Sequence, residues 1–311
     1  MDILLSVRVV FPLLVYLVIG IICGKAKIIS PSTSSQINKL VFRVLFPVTM
    51  FDNIVNAGET LKNSNTAAAP FYGAVVFIAV VLMLVIVPLF IKDKARLGSF
   101  IQGSFRSNSI LFAIPVATVL CGGDTGMASV CLALVVPEYN ILAVVVLELC
   151  RGGKINFLRV LRGVVTNPFI IGAFAGFLYM LTGLPLPELV QTPIKALGGC
   201  VTPIALIALG AGLKFSGIRR DFKHLCAVSA IKLFLIPLAT VVGAVLIGFD
   251  RTSVCTVFAM SCVPTAVGSF PMAEQMGADG PFAGEIVAFT TIASMLTVFL
   301  WVLALSGLHI I

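Results

Sequence analysis

Long apolar runs separated by short polar stretches fill this chain. A helix that crosses a bilayer takes about 20 apolar residues. Ten stretches read as such spans: roughly 7–24, 35–56, 68–91, 99–121, 126–150, 162–182, 189–213, 222–247, 251–277 and 280–305. The second is the weakest by hydropathy, because Asn38, Lys39, Arg43 and Asp52 interrupt it. The fourth carries Arg106, Asn108, three serines (Ser104, Ser107, Ser109) and Pro115 inside an otherwise apolar segment. The ninth is interrupted at Cys262-Val263-Pro264-Thr265. Polar clusters at that depth are tolerated where they face protein or a water-filled cavity. A helix broken near its middle turns freed backbone groups and a half-helix N-terminus toward such a cavity, a device that holds charged solutes in transporters.

The basic residues order these spans. With the N-terminus outside, one set of loops holds Lys25 and Lys27; Lys92, Lys94 and Arg96; Arg151, Lys154, Arg159 and Arg162; and Lys214, Arg219, Arg220 and Lys223. The opposite side holds only Arg8, Lys62, Lys195 and Arg251. Basic loops stay cytoplasmic, so the expectation is a multi-pass plasma (bacterial inner) membrane protein with both termini outside. A weak internal repeat accompanies the alternation. Ile37–Pro47 resembles Ile194–Pro203, Pro88 and Pro237 each fall late in a span, and the fourth and ninth spans are both interrupted. Each pair is five spans apart. Five is odd, so the halves have opposite topology, and paired breaks point to the binding site. The expected organisation is a first five-helix repeat over 1–150, a short basic linker over 151–161 and an inverted repeat over 162–311.

Composition agrees: the chain is 59% hydrophobic and only 11% charged, far from a soluble domain. The first run, Val7 to Gly24, lacks a basic n-region and a small-residue cleavage site, and reads as a span. The net charge of +8 sits in loops on one side and does not point to nucleic acid. The eight cysteines are scattered without metal-ligand spacing and read as small buried hydrophobes, not a disulfide framework. Gly122-Gly123 reads as a loop and Gly198-Gly199 as a close helix contact. The two histidines, His224 and His309, lie in a loop and near the C-terminus, and no phosphate-binding GxxxxGK[ST] occurs. The chain is not expected to be an enzyme, an ATP-driven pump or a holder of a metal or cofactor.

Phe105-Arg106-Ser107-Asn108 followed by Pro115 resembles the fourth helix of the auxin efflux carrier family, most of whose bacterial members are similar to malate or malonate permeases. Pro264-Thr265-Ala266 and then Ala273-Glu274-Gln275 resemble that family's ninth helix. Phe46-Pro47, Asn167-Pro168, and Thr290-Thr291 with Ser294 fit as well. The resemblance implies an all-α polytopic fold of ten transmembrane helices in two inverted five-helix repeats. It also implies a scaffold part, a transport part, and broken helices 4 and 9 crossing at the midplane. That fold is shared with bile-acid sodium symporters and some sodium/proton antiporters. Plant carriers have proline where this chain has Ser107 and glutamine where it has Thr265, which argues against auxin as substrate.

The candidate substrate-binding residues are Asn108, Ser107, Ser109, Arg106, Pro264, Thr265 and Ala266. Two half-helices starting at Asn108 and Thr265 would converge, each bringing about half a positive charge to a carboxylate. The alternative is a kinked, fully packed pair. Arg106 fits either a second carboxylate or snorkelling to the inner surface; for Arg43 and Lys232 snorkelling or packing fits better. Glu138, with Asn140, is the coupling candidate. A mid-membrane carboxylate suits proton coupling, and with Asn140 it could ligate sodium; an ion pair with Lys232 is the structural alternative. Asp52 and Glu285 read as interfacial. The expected partners are a small organic anion and the bilayer, with homodimerisation left open and H+ or Na+ as coupling ion. The expected function is alternating-access transport of a mono- or dicarboxylate such as malate or malonate. The alternatives are a sodium-coupled organic anion symporter and a non-transporting receptor. A sodium/proton antiporter would carry acidic or basic pairs at the crossing, where this chain has Asn108 and Thr265.

Overall fold

The computed structural model describes residues 3–61, 67–121, 126–151, 157–213, 215–308 and 310–311. Lys62, Gly122-Gly123, Lys154, Lys214 and His309 lie outside these residues. The described chain is helical: α1 (Ile3–Lys25), α2 (31–61), α3 (Ala68–Leu89), α4 (Lys94–Phe105), α5 (109–120), α6 (Gly126–Leu149), α7 (Phe157–Val165), α8 (Pro168–Leu181), α9 (Glu188–Gly212), α10 (215–247), α11 (Arg251–Ser261), α12 (Ser269–Gln275) and α13 (Gly280–Gly307). Five segments are long and apolar enough to cross a membrane: Ala68–Leu89, Met127–Leu149, Glu188–Gly212, Gly217–Ile247 and Gly280–Gly307. Leu14–Lys25 and Pro168–Leu181 are shorter apolar helices. The expected fourth and ninth spans are each broken in two, α4/α5 and α11/α12. Large apolar side chains stand outward, Phe90 at 79% and Leu246 at 81% exposure. In water such faces would be costly; a lipid surface covers them. The chain is an all-α membrane protein.

Local sequence sets the helix ends. Ser30, Asp93, Asn167, Asp250 and Asp279 each cap a helix start with a side-chain oxygen on an early backbone N–H. Pro31 and Pro168 occupy first-turn positions, where the missing N–H costs nothing. Three prolines act inside helices instead. Pro47, Pro115 and Pro237 each follow a π turn, over Val41–Leu45, Ser109–Ala113 and Ile231–Leu235. Proline donates no hydrogen bond to the carbonyl four residues back, and the helix widens there. At Pro237 the orphaned carbonyl is Leu233, and Trp301 Nε1 donates to it at 2.8 Å.

Two helix pairs approach backbone to backbone. α1 packs on α9 along Gly20 and Gly24; a Cβ on Gly24 would stand 2.6 Å from the Ala211 carbonyl. α8 packs on α2 along Gly172 and Gly176; a Cβ on Gly176 would stand 2.7 Å from the Phe51 carbonyl. Small residues four apart are how membrane helices close up. The expected close contact at Gly198-Gly199 is corrected: a Cβ on Gly199 would meet nothing within 4 Å, because these glycines border a cavity. α4 and α11 are enclosed on all sides, with every residue from 97 to 105 and from 253 to 261 buried. The cysteines are free thiols; Cys131, Cys150, Cys255 and Cys262 are buried as expected, whereas Cys200 and Cys226 are exposed.

Candidate functional site

The two broken helices meet at their breaks. α4 ends at Phe105, and Arg106 turns to extended backbone (φ −73°, ψ 109°). α11 ends at Ser261, ahead of Pro264, which has no N–H to continue the helix. Ser107 and Thr265 then pair as an antiparallel bridge. The Asn108 amide donates to the Pro264 carbonyl at 2.9 Å, and the Ala266 amide to the Arg106 carbonyl at 3.0 Å. Each break therefore satisfies groups the other leaves free. Thr265 Oγ1 closes the Gly103 carbonyl at 2.6 Å, and its amide donates to Thr290 Oγ1 at 3.2 Å. The amides of Asn108, Thr265 and Ala266 are thus spent on the crossing.

A cavity of about 650 Å³ opens beside this crossing. Arg106, Ser107, Asn108, Ser109, Asn140 and Ala266 line it. Pro12 and Tyr16 of α1, Thr49, Met50, Asp52 and Asn53 of α2, and Lys195, Gly198 and Thr202 of α9 make the facing wall. Pro264 and Thr265 do not line it; they are buried parts of the crossing. Glu138 also lies elsewhere, half-buried with its carboxylate against Gly73 of α3. Asp52, expected at the interface, stands in the cavity wall. Glu285, also expected there, is buried at 3% exposure.

Arg106 does not snorkel; it is 4% exposed. Its Nη2 donates to Asn140 Oδ1 at 2.5 Å and its Nη1 to Met272 Sδ at 3.3 Å, and the guanidinium lies 5.4 Å from the Phe169 ring centre. Asn140 is held in turn by donating to the Val136 carbonyl at 2.8 Å and to Met50 Sδ at 2.9 Å. No carboxylate pairs with Arg106 among the described residues. Asn108 is 8% exposed, and its Nδ2 finds no acceptor; the Ser109 hydroxyl is equally unpartnered. Orphaned buried donors are rare, because each carries a desolvation cost of about 1–3 kcal/mol. The cavity floor therefore presents donors and one fixed positive charge in want of an acceptor.

Behind the floor lies a hydroxyl cluster that hydropathy alone did not single out. Ser107 Oγ accepts from Lys232 Nζ at 2.6 Å and from the Tyr139 hydroxyl at 3.1 Å. The Tyr72 and Tyr139 hydroxyls bond each other, and Tyr72 donates to the Met260 carbonyl at 2.9 Å. On the far side of the crossing the helices close. Asn38 Nδ2 donates to the Glu274 carboxylate, joining α2 to α12, and Ser34 Oγ donates to the Ala208 carbonyl at 2.9 Å.

A membrane-embedded helical body with a polar cavity at paired helix breaks defines a membrane transport protein. The comparisons agree. A model of the membrane transport protein family matches residues 5–157 and 154–302, and the chain belongs to this family, that of the auxin efflux carriers. A protein of Rhizobium meliloti strain 1021, named "Putative malonate transporter", is 26% identical over 191 residues. That match covers 60% of this chain and spans 56% of the relative's length. An "Uncharacterized transporter" of Methanothermobacter thermautotrophicus is 21% identical over 309 residues, 95% of this chain and 97% of its own.

Proposed function

We propose that this protein is a secondary transporter of a small organic anion, a mono- or dicarboxylate of the malonate class. The observation that carries the reading is the buried, carboxylate-free Arg106 guanidinium beside the unpartnered Asn108 amide. A guanidinium and an amide NH2 donate and do not accept, and a substrate carboxylate supplies the missing acceptors and the missing charge. The half-helix that begins at Ser109 adds its positive end. The Rhizobium relative's name points to the same chemical class.

The mechanism we propose is alternating access in ten spans arranged as two inverted five-helix repeats. α1, α2, α8 and α9, joined by glycine contacts, act as scaffold. The crossed α4/α5 and α11/α12, with α3, α6, α10 and α13, form the moving part. The basic loops assign the Asn38–Glu274 side to the cytoplasm, so the cavity opens outward. Glu138 is the candidate for proton coupling. The test is uptake into proteoliposomes from a panel of labelled carboxylates, with and without sodium and a proton gradient. Uptake of one of them is expected, and Asn108→Ala is expected to abolish it with the protein still folded. Undiminished uptake by that variant would remove the central claim.

A further inference from the structure

Lys232 is a second cation at the crossing, and the anion chemistry above does not use it. It sits in the π turn that Pro237 forces on α10, and its side chain is fully buried. Nζ donates to Ser107 Oγ at 2.6 Å and to the Ser261 carbonyl at 2.9 Å. Among the described residues no carboxylate stands within ion-pair distance. An ammonium buried without compensation is expensive, so other groups must hold it.

The end of a half-helix holds it. α11 stops at Ser261, and its last carbonyls carry the negative end of the helix dipole. Tyr72 closes the Met260 carbonyl and Lys232 closes the Ser261 carbonyl. The atoms gathered at Nζ are neutral oxygens: that carbonyl and the Ser107 hydroxyl, itself bonded to Tyr139. Neutral carbonyl and hydroxyl oxygens at an unwound helix end are the ligand set that broken-helix transporters offer to sodium. Here the ammonium fills the place. The opposite half-helix end needs no cation, because Thr265 Oγ1 closes Gly103.

We propose that Lys232 is a built-in cation that substitutes for an inorganic one at the helix crossing, so that the crossing assembles and the transporter works without sodium. The transport clause rests on the anion-transporter reading; the structural clause does not, and it is tested without substrate. Thermal unfolding of the detergent-solubilised protein is compared in sodium chloride and choline chloride of equal ionic strength. The wild type is expected to melt within about 1 °C in the two salts. Lys232→Ala removes the ammonium, leaves the oxygens and opens space for an ion. Its melting point is expected to rise by about 3 °C or more in sodium over choline. If Lys232→Ala does not fold, Lys232→Ser, which adds a hydroxyl to the same oxygens, carries the same expectation. Sodium-specific stabilisation of the wild type, or no sodium response in the folded variant, overturns the proposal. In a second arm, wild-type uptake of labelled malonate is expected to change by less than about twofold when choline replaces sodium; uptake that requires sodium also overturns it. Failure to take up malonate in either salt counts against the substrate class and leaves the melting comparison decisive.

Discussion

Arg106→Gln separates a binding role from a structural one. In the empty cavity the guanidinium makes one hydrogen bond to Asn140, at 2.5 Å, one contact to Met272 Sδ and a stacking contact with Phe169. It has no carboxylate partner among the described residues. Glutamine keeps a donor for Asn140 and removes the charge. Loss of the hydrogen bond would cost about 1 kcal/mol, while removing an uncompensated buried charge recovers desolvation energy of at least that size. The folded protein is therefore expected to melt no lower than wild type. Substrate binding is expected to suffer. A charge-assisted hydrogen bond is worth about 1.5–3 kcal/mol, so the KM for the carboxylate should rise roughly 10- to 100-fold. Uptake kinetics in proteoliposomes and melting in detergent read the two effects separately. A variant that melts lower and keeps its KM would show Arg106 to be a packing residue and refute the reasoning.

Further outcomes follow from the same geometry. Glu138→Gln is expected to flatten the pH dependence of uptake, read as initial rates across a pH series; an unchanged profile would take Glu138 out of the coupling. Gly176→Leu places a side chain against the Phe51 carbonyl, 2.7 Å from its first carbon, and is expected to abolish the monodisperse peak in detergent gel filtration. Asp250→Ala removes the cap of α11, whose oxygens accept from Ser253 Oγ at 2.6 Å and from the Thr252 amide at 3.1 Å, at a cost of about 1 kcal/mol in unfolding experiments. The Ser253 hydroxyl holds the Asp250 carboxyl below the usual carboxylate range. That cap is therefore at full strength above the unfolded-state value and fades as pH falls through the lower folded one, so acid should narrow the gap between wild type and variant.

The breaks at Ser107–Asn108 and Cys262–Thr265 were legible because polar residues and a proline inside an apolar run are costly in lipid unless the helix opens there onto protein or water. The π turns were legible in principle from Pro47, Pro115 and Pro237, each of which orphans the carbonyl four residues earlier. The pairing of Ser107 with Thr265 was not, since it depends on how two distant segments pack. For the same reason the amides of Asn108 and Ala266, expected to face the solute, are spent on the crossing, and the free donors are side chains instead. Lys232 read as a snorkelling or packing lysine because hydropathy carries no direction; the π turn points it inward. Asp52 read as interfacial from its place near a helix end, but α2 runs along a water-accessible cavity and exposes that turn to it. The motifs Gly20–Gly24 and Gly172–Gly176 carried a readable small-residue signal, whereas Gly198-Gly199 carried the same signal and lines open space.

The distribution of contacts indicates which parts can move if access alternates as proposed. The crossing is fixed many times over. Two backbone bonds tie the breaks to each other, Thr265 and Lys232 close the half-helix ends, and Thr290 holds the Thr265 amide. Separating the breaks would orphan several of these groups together, at about 1–3 kcal/mol each. The glycine seams between α1 and α9 and between α8 and α2 are equally unyielding, because backbones in contact have no side chains to rearrange. Between these two bodies the ties on the closed side are fewer, and the Asn38–Glu274 bond joins α2 directly to α12. Breaking it exposes both groups to water, which satisfies them, so the net cost is only about 0.5–3 kcal/mol. Rigid-body movement of the crossed helices against the scaffold therefore costs less than deforming either one. The solute site, carried on Arg106 and Asn108 of the crossing, would travel with it.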